Sequence, residues 1–254
     1  MMNKSLVDEL FEDSELDQKI VKSFYSKESL SPDIFEEDNG SFSMKDNIRT
    51  KLLEIADKFV EFIGIDFFID DVHLTGSLSN FNWSEYSDVD LHIIIDFDET
   101  EYPMDLVKEF FDAKERVWNE KHEIKIKGFD VEVYVQDLKQ EHVSSGVYSI
   151  LNNKWLVEPE RNKPNIDDRM ILQKGEHYAK QIDSLIKKSS KINVLPMIDE
   201  LRKKIKTFRQ SGLEQGGEYS YENLTFKLLR RNGYFGKLLK LKKDITDKKL
   251  SITQ

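Results

Sequence analysis

The sequence of 254 residues contains no cysteine and no long apolar run. The lack of cysteine excludes a disulfide scaffold, a thiolate zinc site and a cysteine nucleophile. No stretch approaches the roughly 20 apolar residues that a membrane-spanning helix needs, so we expect no membrane partner. The first residues, MMNKSLVDELFEDSELD, are acidic and lack a contiguous apolar segment, which indicates that they are not a secretory signal. A soluble protein of the cytoplasm is therefore expected.

Apolar and charged residues are both plentiful. Hydrophobic residues make up 39% of the chain and aromatic residues 11%, which is enough for a packed core and excludes a wholly disordered chain. Residues 1–170 hold 19 Lys and Arg against 39 Asp and Glu, whereas residues 171–254 hold 19 against 9, a net charge of +10. This asymmetry indicates either charge balance within the molecule or a basic surface for a polyanion.

The chain divides by pattern into three segments. Residues 1–43 form an acidic arm, with a short helix near 5–25 and a loop at 29–42, where Ser, Pro and Asn-Gly cluster. We expect a catalytic lobe at 44–160 and a basic helical lobe at 161–254. The predicted fold class is α+β, with a short mixed sheet and flanking helices in the first lobe and a helical C-terminal lobe.

Hydrophobic periodicity gives the predicted elements. Asp66–Asp70 is expected to be a turn-rich bridge, Lys127-Gly128 a tight hairpin turn, and Gly233 or Gly236 a break in the last helix. Strands are predicted at 72–74, 88–97, 123–127 and 129–136, and helices at 44–63, 104–121, 167–189, 194–211 and 220–242.

Two carboxylates stand at the start of an apolar strand. Asp88 and Asp90 are two residues apart, so both side chains project from the same face. Their mutual repulsion costs stability unless a cation lies between them. Carboxylate oxygens suit Mg²⁺, and a pair of such ions about 3.5–4 Å apart binds the attacking and leaving oxygens of a phosphoryl transfer.

A third carboxylate is expected from a neighbouring strand. The strand at 129–136 offers two candidates, Asp130 and Glu132, which also share a face. Glu132 lies deeper in the apolar run, and Asp130 lies nearer the turn. We favour Glu132 slightly and keep both.

A Gly-Ser pair follows the preceding strand. Gly76 allows close approach of the backbone, and free N–H groups with the Ser77 hydroxyl can hold a phosphate. Each signal alone is weak. A strand, a Gly-Ser pair, a spacer of eleven residues and an Asp-x-Asp strand, followed by a later acidic strand, are much more specific together.

This arrangement over about residues 44–140 resembles the DNA polymerase β-like nucleotidyltransferase superfamily. The resemblance implies that Gly76 and Ser77 bind the triphosphate of an NTP such as ATP, and that Asp88 and Asp90 hold Mg²⁺ or Mn²⁺. It also implies that a third acid completes the site and is the proton acceptor. A Glu at this position departs from the commoner Asp of the family.

The segments HVSSGVYSILNNKW and SYENLTFKLLRRNGYFGKL resemble uncharacterised bacteriophage-encoded members of the superfamily. That resemblance is less specific, and it implies location in the host cell cytoplasm. Within HVSSGVYSILNNKW, the turn after His142 either touches the nucleotide or is an ordinary polar loop.

The basic half adds weaker candidates. Lys174 and Tyr178 are four residues apart and share a helix face. In the superfamily a Lys of the second lobe often meets the triphosphate, so both are nucleotide-binding candidates. Lys227, Arg230 and Arg231 are either phosphate or RNA contacts or part of a solvated helix face.

Three functions remain open. The first is transfer of NMP to tRNA or another RNA 3′ end, which the basic half favours. The second is NMP transfer to a protein or a small molecule, including second-messenger synthesis. The third is a non-catalytic nucleotide-binding module, against which the intact Asp88 and Asp90 count.

Overall fold

The computed structural model describes the chain over residues 15–65, 67–100, 102–141 and 144–252. Two compact units are present. Residues 26–163 form the first, here called the α/β unit. Residues 15–25 and the residues from Pro164 onward form the second, here called the helical unit.

This division differs from the predicted one at the N-terminus. Within the range predicted as an arm, the boundary between the units falls between Tyr25 and Ser26. The segment after that boundary is tied into the α/β unit, where the Trp83 indole N–H donates to the Ser29 carbonyl oxygen at 2.9 Å. The second boundary, after Lys163, lies close to the predicted one.

The secondary structure is α+β, which confirms the predicted class. The helices are α1 (residues 15–22), α2 (Asp46–Ile63), α3 (Met104–Lys121), α4 (Asp168–Lys188), α5 (Leu195–Gly216), α6 (Tyr221–Arg231) and α7 (Tyr234–Leu250). The strands are β1 (Phe35–Asp38), β2 (Ser41–Met44), β3 (Asp71–Thr75), β4 (Val89–Ile95), β5 (Lys125–Ile126), β6 (Phe129–Asp137), β7 (Val147–Ser149) and β8 (Lys154–Val157). In the part of the chain that the structure describes, no helix is long and apolar enough to cross a lipid bilayer.

A mixed sheet of six strands organises the α/β unit, in the order β5-β6-β4-β3-β7-β8. Strands β4 and β6 are parallel, and the other neighbours are antiparallel. A parallel pair needs a long crossover, and α3 supplies it between β4 and β6. Strands β1 and β2 pair separately as a hairpin.

One face of the sheet is apolar and forms the core of the unit. Alternation along β4 and β6 places the Val side chains, Leu91, Ile93 and Ile95 on this face, against α2 and α3. The Phe59 and Trp118 rings join the two helices edge to face, with centroids 5.5 Å apart. The opposite face carries mostly polar side chains, because the intervening positions of β4 and β6 and the facing positions of β3 are polar except for Ile94. These polar side chains are Asp71, His73, Thr75, Asp90, His92, Glu132, Tyr134 and Gln136.

Positive backbone φ angles and a side-chain cap explain where several of the elements begin and end. Lys127 and Gly128 both have positive φ, +53° and +93°, which confirms the tight hairpin turn between β5 and β6. Gly233, with φ +71°, separates α6 from α7 and confirms one of the two predicted breaks. The Ser220 side chain accepts a hydrogen bond from the Asn223 N–H and caps α6.

Two hairpins were not predicted. The loop prediction at 29–42 is wrong for β1 and β2, which Asn39 and Gly40 join with φ of +51° and +83°. The Asn-Gly pair was the available signal, but the charged strand Phe35–Asp38 hides the alternation. Strands β7 and β8 were also missed, since each has only three or four residues.

The helical unit has its own core. Apolar side chains at helical spacing on α4, α5, α6 and α7 meet in one cluster. Tyr178 lies within that cluster, with its ring centroid 5.5 Å from that of Phe208.

Candidate active site

Strand register brings the predicted acidic residues together. Asp90 on β4 lies directly beside Glu132 on β6 and beside Thr75 on β3. Neighbouring strands are about 4.8 Å apart, so the three side chains form a row on the polar face. Asp88 immediately precedes β4 and is half-buried, as Asp90 is.

Gly76 follows β3 and lies against the Asp90 carboxylate. Its φ of +74° and ψ of −158° belong to a region that only glycine adopts readily. A Cβ at this position would lie 1.8 Å from Asp90 Oδ2, well inside contact distance. Only glycine therefore leaves room for the carboxylate here.

Hydrogen bonds fix the turn that contains Gly76 and Ser77. The Asn80 side-chain amide donates to the Gly76 carbonyl oxygen at 2.7 Å, and the Ser77 hydroxyl donates to Ser87 Oγ at 2.7 Å. Ser87 precedes Asp88, so this bond ties the turn to the segment that enters β4. Hydrogen bonds thus connect the Gly-Ser turn to the segment that carries Asp88 and Asp90.

A second loop supports the turn from the other side. The Ser145 hydroxyl donates to Asn80 Oδ1 at 2.9 Å, and the Ser79 hydroxyl donates to the Gly146 carbonyl oxygen at 2.8 Å. A Cβ on Gly146 would lie 2.1 Å from the Ser79 carbonyl oxygen, so the loop packs backbone to backbone. His142 itself lies outside the described residues, and whether the turn after it touches a nucleotide stays open.

Tyr134 lies close to Asp88, Asp90 and Glu132, which are here called the acidic row. Its hydroxyl donates a hydrogen bond to Glu132 Oε2, and its ring centroid lies 5.1 Å from that of His92. Burial raises the pKa of the Tyr134 hydroxyl, and the bond to Glu132 and the negative charges of Asp90 and Asp88 raise it further. Tyr134 therefore stays protonated and remains a hydrogen-bond donor near neutral pH.

The two candidates for the third carboxylate have different surroundings. Asp130 is exposed, and its Oδ1 lies 2.6 Å from the Lys125 ammonium on β5. Glu132 is half-buried and lies opposite Asp90. The register therefore favours Glu132, in agreement with the preference drawn from the sequence.

The fit of a divalent cation depends on how many protein ligands it needs. Over the described ranges, no three His, Asp or Glu side chains form a group placed to hold a metal ion. Mg²⁺, however, commonly binds one or two carboxylates and completes its shell with water and substrate phosphates. Asp88 and Asp90 fit that mode, because both offer hard oxygens beside the Gly-Ser turn.

The other two predicted nucleotide contacts lie on α4 in the helical unit. Lys174 is half-buried. Tyr178 is only 4% exposed, and burial raises the pKa of its hydroxyl. Its ring lies in the core of the helical unit and offers little surface to a base, and its contact with the nucleotide stays a prediction.

No protein-family model, no curated protein and no solved structure matches this chain. The functional assignment therefore depends on the geometry and chemistry of the residues themselves.

Sequence reasoning missed three residues that shape the site. Tyr134 lies two positions beyond Glu132, so the period of the strand could have placed it on the same face. Asn80 and Ser87 had no such signal, because their contacts depend on how two loops fold together.

The helical unit also carries a lysine-lined groove of about 530 Å³ along α4. Lys180 at its edge is paired with Glu176 at 2.5 Å, one helical turn earlier. The lining residues are Lys180, Asp183, Ser184, Lys187, Lys188 and Lys191. Their excess positive charge suits a polyanion.

Proposed function

We propose that the protein is a metal-dependent nucleotidyltransferase. In the reaction, a hydroxyl oxygen of the acceptor attacks the α-phosphorus of an NTP. The bond between the α-phosphorus and the bridging oxygen breaks, and pyrophosphate leaves with the electron pair. We also propose the polymerase β-like arrangement for the α/β unit, on the resemblance of its motif.

The observation that carries this proposal is the position of Gly76 against Asp90, with Glu132 beside Asp90 on the next strand. A turn able to hold phosphate and an acidic row able to hold a cation lie at the same end of the sheet. Both features are needed where a triphosphate and its metal bind together.

The residues have distinct proposed roles. Ser77 and the turn around it contact the triphosphate. When bound by Asp88 and Asp90 together with the phosphates, Mg²⁺ or Mn²⁺ supplies charge neutralisation and lowers the pKa of the attacking hydroxyl. Tyr134 orients Glu132 through Oε2, which leaves Oε1 to accept the hydroxyl proton.

For the acceptor, we propose RNA, with a tRNA or another RNA 3′ end as the substrate. The lysine-lined groove on α4 favours this choice, because counterion release drives binding of nucleic acid to such surfaces. Transfer to a protein or a small molecule, and nucleotide binding without transfer, are the alternatives that the experiment separates.

The test is transfer of label from each α-labelled NTP, with Mg²⁺ or Mn²⁺, to total tRNA or to no added acceptor. Products are resolved as RNA, protein and small molecules. We expect labelled RNA with the wild-type protein, and at least a 100-fold loss with Asp88→Asn, Asp90→Asn or Glu132→Gln.

The matched control is Asp130→Asn, on the same strand and face as Glu132, which we expect to retain transfer. Label on protein or in a small molecule would replace RNA as the acceptor. Carboxylate-independent label, or NTP binding with no transfer to any class of acceptor, would contradict the proposed activity.

A further inference from the structure

Four cationic side chains gather where α5 and α6 pack together. Lys227, Arg230 and Arg231 lie three and four residues apart on α6, so they share one side of that helix. Arg209 on α5 is close enough for the charge of Arg230 to lower its pKa, after the larger effect of burial. The cluster shares no residue with the acidic row or with the α4 groove.

The guanidinium of Arg209 is held in place by its neighbours. Its Nε donates to Asn223 Oδ1 at 3.0 Å, and its Cζ lies 4.4 Å from the centroid of the Phe226 ring. Asn223 is in turn fixed by a bond from its side-chain amide to the Glu218 carbonyl oxygen, at 2.7 Å. An arginine fixed in this way loses little conformational entropy when it binds an anion.

Arg231 is anchored on the other side of the cluster. One guanidinium N–H donates to Ser23 Oγ at 2.7 Å, and Cζ lies 4.9 Å from the centroid of the Phe24 ring. Both contacts orient the planar guanidinium, and neither neutralises its charge, because Ser23 and Phe24 are uncharged. The cluster thus has two arginines whose positions are set by the protein.

Lys227 is half-buried, and the charges of both arginines act on it. Among the described residues its ammonium makes no hydrogen bond and no ion pair. Burial lowers the pKa of Lys227, and the positive charges of Arg231, Arg230 and Arg209 lower it further, while Glu218 opposes them. A partly desolvated ammonium without a protein partner is unfavourable in the free protein.

We propose that Arg209, Lys227, Arg230 and Arg231 form a binding site for a phosphate group. The Lys227 ammonium is within range of the charges of three arginines and of the acid Glu218, so its surroundings have excess positive charge that a phosphate would neutralise. Arginine presents paired N–H groups that match phosphate oxygens, and lysine adds a point charge. The phosphate belongs either to an RNA backbone or to a free nucleotide, and the site does not depend on nucleotidyl transfer.

The Lys227→Gln substitution should change the melting temperature in opposite directions for a ligand-binding site and for a purely structural cluster. If Lys227 contributed only packing, its replacement by Gln would lower the melting temperature. If Lys227 is kept for a ligand, the same change removes an unfavourable charge and raises the melting temperature of the free protein.

The experiment compares the wild-type protein with Lys227→Gln, and with Lys203→Gln as the control. Lys203 is an exposed lysine on α5, so the control has the same change in net charge. Thermal unfolding and titration calorimetry are done in phosphate-free buffer with EDTA, then with inorganic pyrophosphate or a short single-stranded RNA. EDTA removes divalent cations, so binding through Asp88 and Asp90 does not contribute.

We expect Lys227→Gln to melt at a higher temperature than the wild type without ligand, and to bind at least 10-fold more weakly. If the variant binds only pyrophosphate more weakly, the site is assigned to free nucleotides. If it binds only RNA more weakly, the site is assigned to the RNA backbone. Wild-type affinity for both probes in Lys227→Gln would overturn the proposal, as would the absence of binding to the wild-type protein. Arg230→Gln, at an exposed position, repeats the test if Lys227→Gln does not fold.

Discussion

At the scale of single residues, Gly76 and Tyr134 decide the shape of the acidic site. Gly76 leaves the space that the Asp90 carboxylate fills, and Tyr134 fixes one oxygen of Glu132. Neither residue is charged at neutral pH, yet each limits where a carboxylate can lie. The site therefore depends on residue types that a search for acidic side chains alone does not find.

Replacing Gly76 by Ala should both destabilise the protein and abolish nucleotidyl transfer. The backbone conformation itself costs an alanine about 1–3 kcal/mol, and the added Cβ also collides with Asp90. Urea unfolding measures the loss of stability, and the label-transfer assay measures the activity.

Gly128→Ala is the matched control, because Gly128 has φ +93° but nothing within 4 Å of its added Cβ. We expect this variant to lose only the backbone contribution and to retain transfer. Equal effects of the two substitutions on activity would show that Gly76 has no special place beside Asp90.

At the scale of elements, α3 protects the edge of β6 that β5 leaves uncovered. Among the described residues, β5 pairs only with the first two residues of β6, and no other strand lies beside the backbone further along on that side. The Asn119 side chain exchanges two hydrogen bonds of 3.0 Å with the Val133 backbone, and Glu115 Oε1 accepts from the Val135 N–H at 2.6 Å. These side chains replace a missing strand and prevent pairing with another chain.

This protection makes stability depend on pH through Glu115. Burial raises the pKa of Glu115 from 4.5 to about 7, against the hydrogen bond from Val135 and with help from the charge of Asp112. Because the folded pKa is above the unfolded one, the contribution of Glu115 is fully present below pH 4.5. It is lost as the pH rises through 7.

As the pH rises from 4.5 to 7, the free energy of unfolding of the wild-type protein should therefore fall relative to that of Glu115→Gln. The slope should stay below about 1.4 kcal/mol per pH unit, the limit for one proton. Gln keeps an oxygen for the Val135 N–H but does not titrate. Urea unfolding across this range measures the difference, with the exposed Glu109→Gln on the same helix as the control. A difference independent of pH would contradict the assignment.

At the scale of the whole molecule, the two units differ in charge. Residues 26–163 hold 15 Lys and Arg against 31 Asp and Glu, and residues 164–254, the larger part of the helical unit, hold 20 against 11. The proposed metal site and the proposed phosphate-binding surface are thus in different parts of the chain. A polyanionic acceptor should bind mainly through the second part.

RNA binding should therefore weaken steeply with salt, and the α4 groove should carry part of that dependence. In the double variant Lys187→Gln/Lys188→Gln, the slope of the log of the RNA-binding constant against log salt should become less steep by up to about 1.4. This corresponds to about 0.7 for each lost phosphate contact. Fluorescence anisotropy of a labelled single-stranded RNA measures the slope.

The control pair is Lys203→Gln with Lys204→Gln, two exposed lysines on α5 outside the groove. Because the net charge changes equally, a general electrostatic effect would alter both pairs to the same extent. That result would remove the groove from the proposed RNA surface.

Periodicity predicted most of the elements because it is local. The alternation in β4 and β6, the turn at Lys127-Gly128 and the break at Gly233 all follow from residues close in sequence. Strands β7 and β8 were missed because three or four residues carry too little pattern to distinguish a strand from a loop.

The sequence by itself determined the types of residue in the candidate site and the faces on which Asp88, Asp90, Asp130 and Glu132 lie. Only the tertiary structure decided that Glu132 is opposite Asp90, while Asp130 is paired with Lys125. The reason is that side-chain direction repeats every two residues along one strand, whereas the register between β4 and β6 depends on how α3 crosses the sheet.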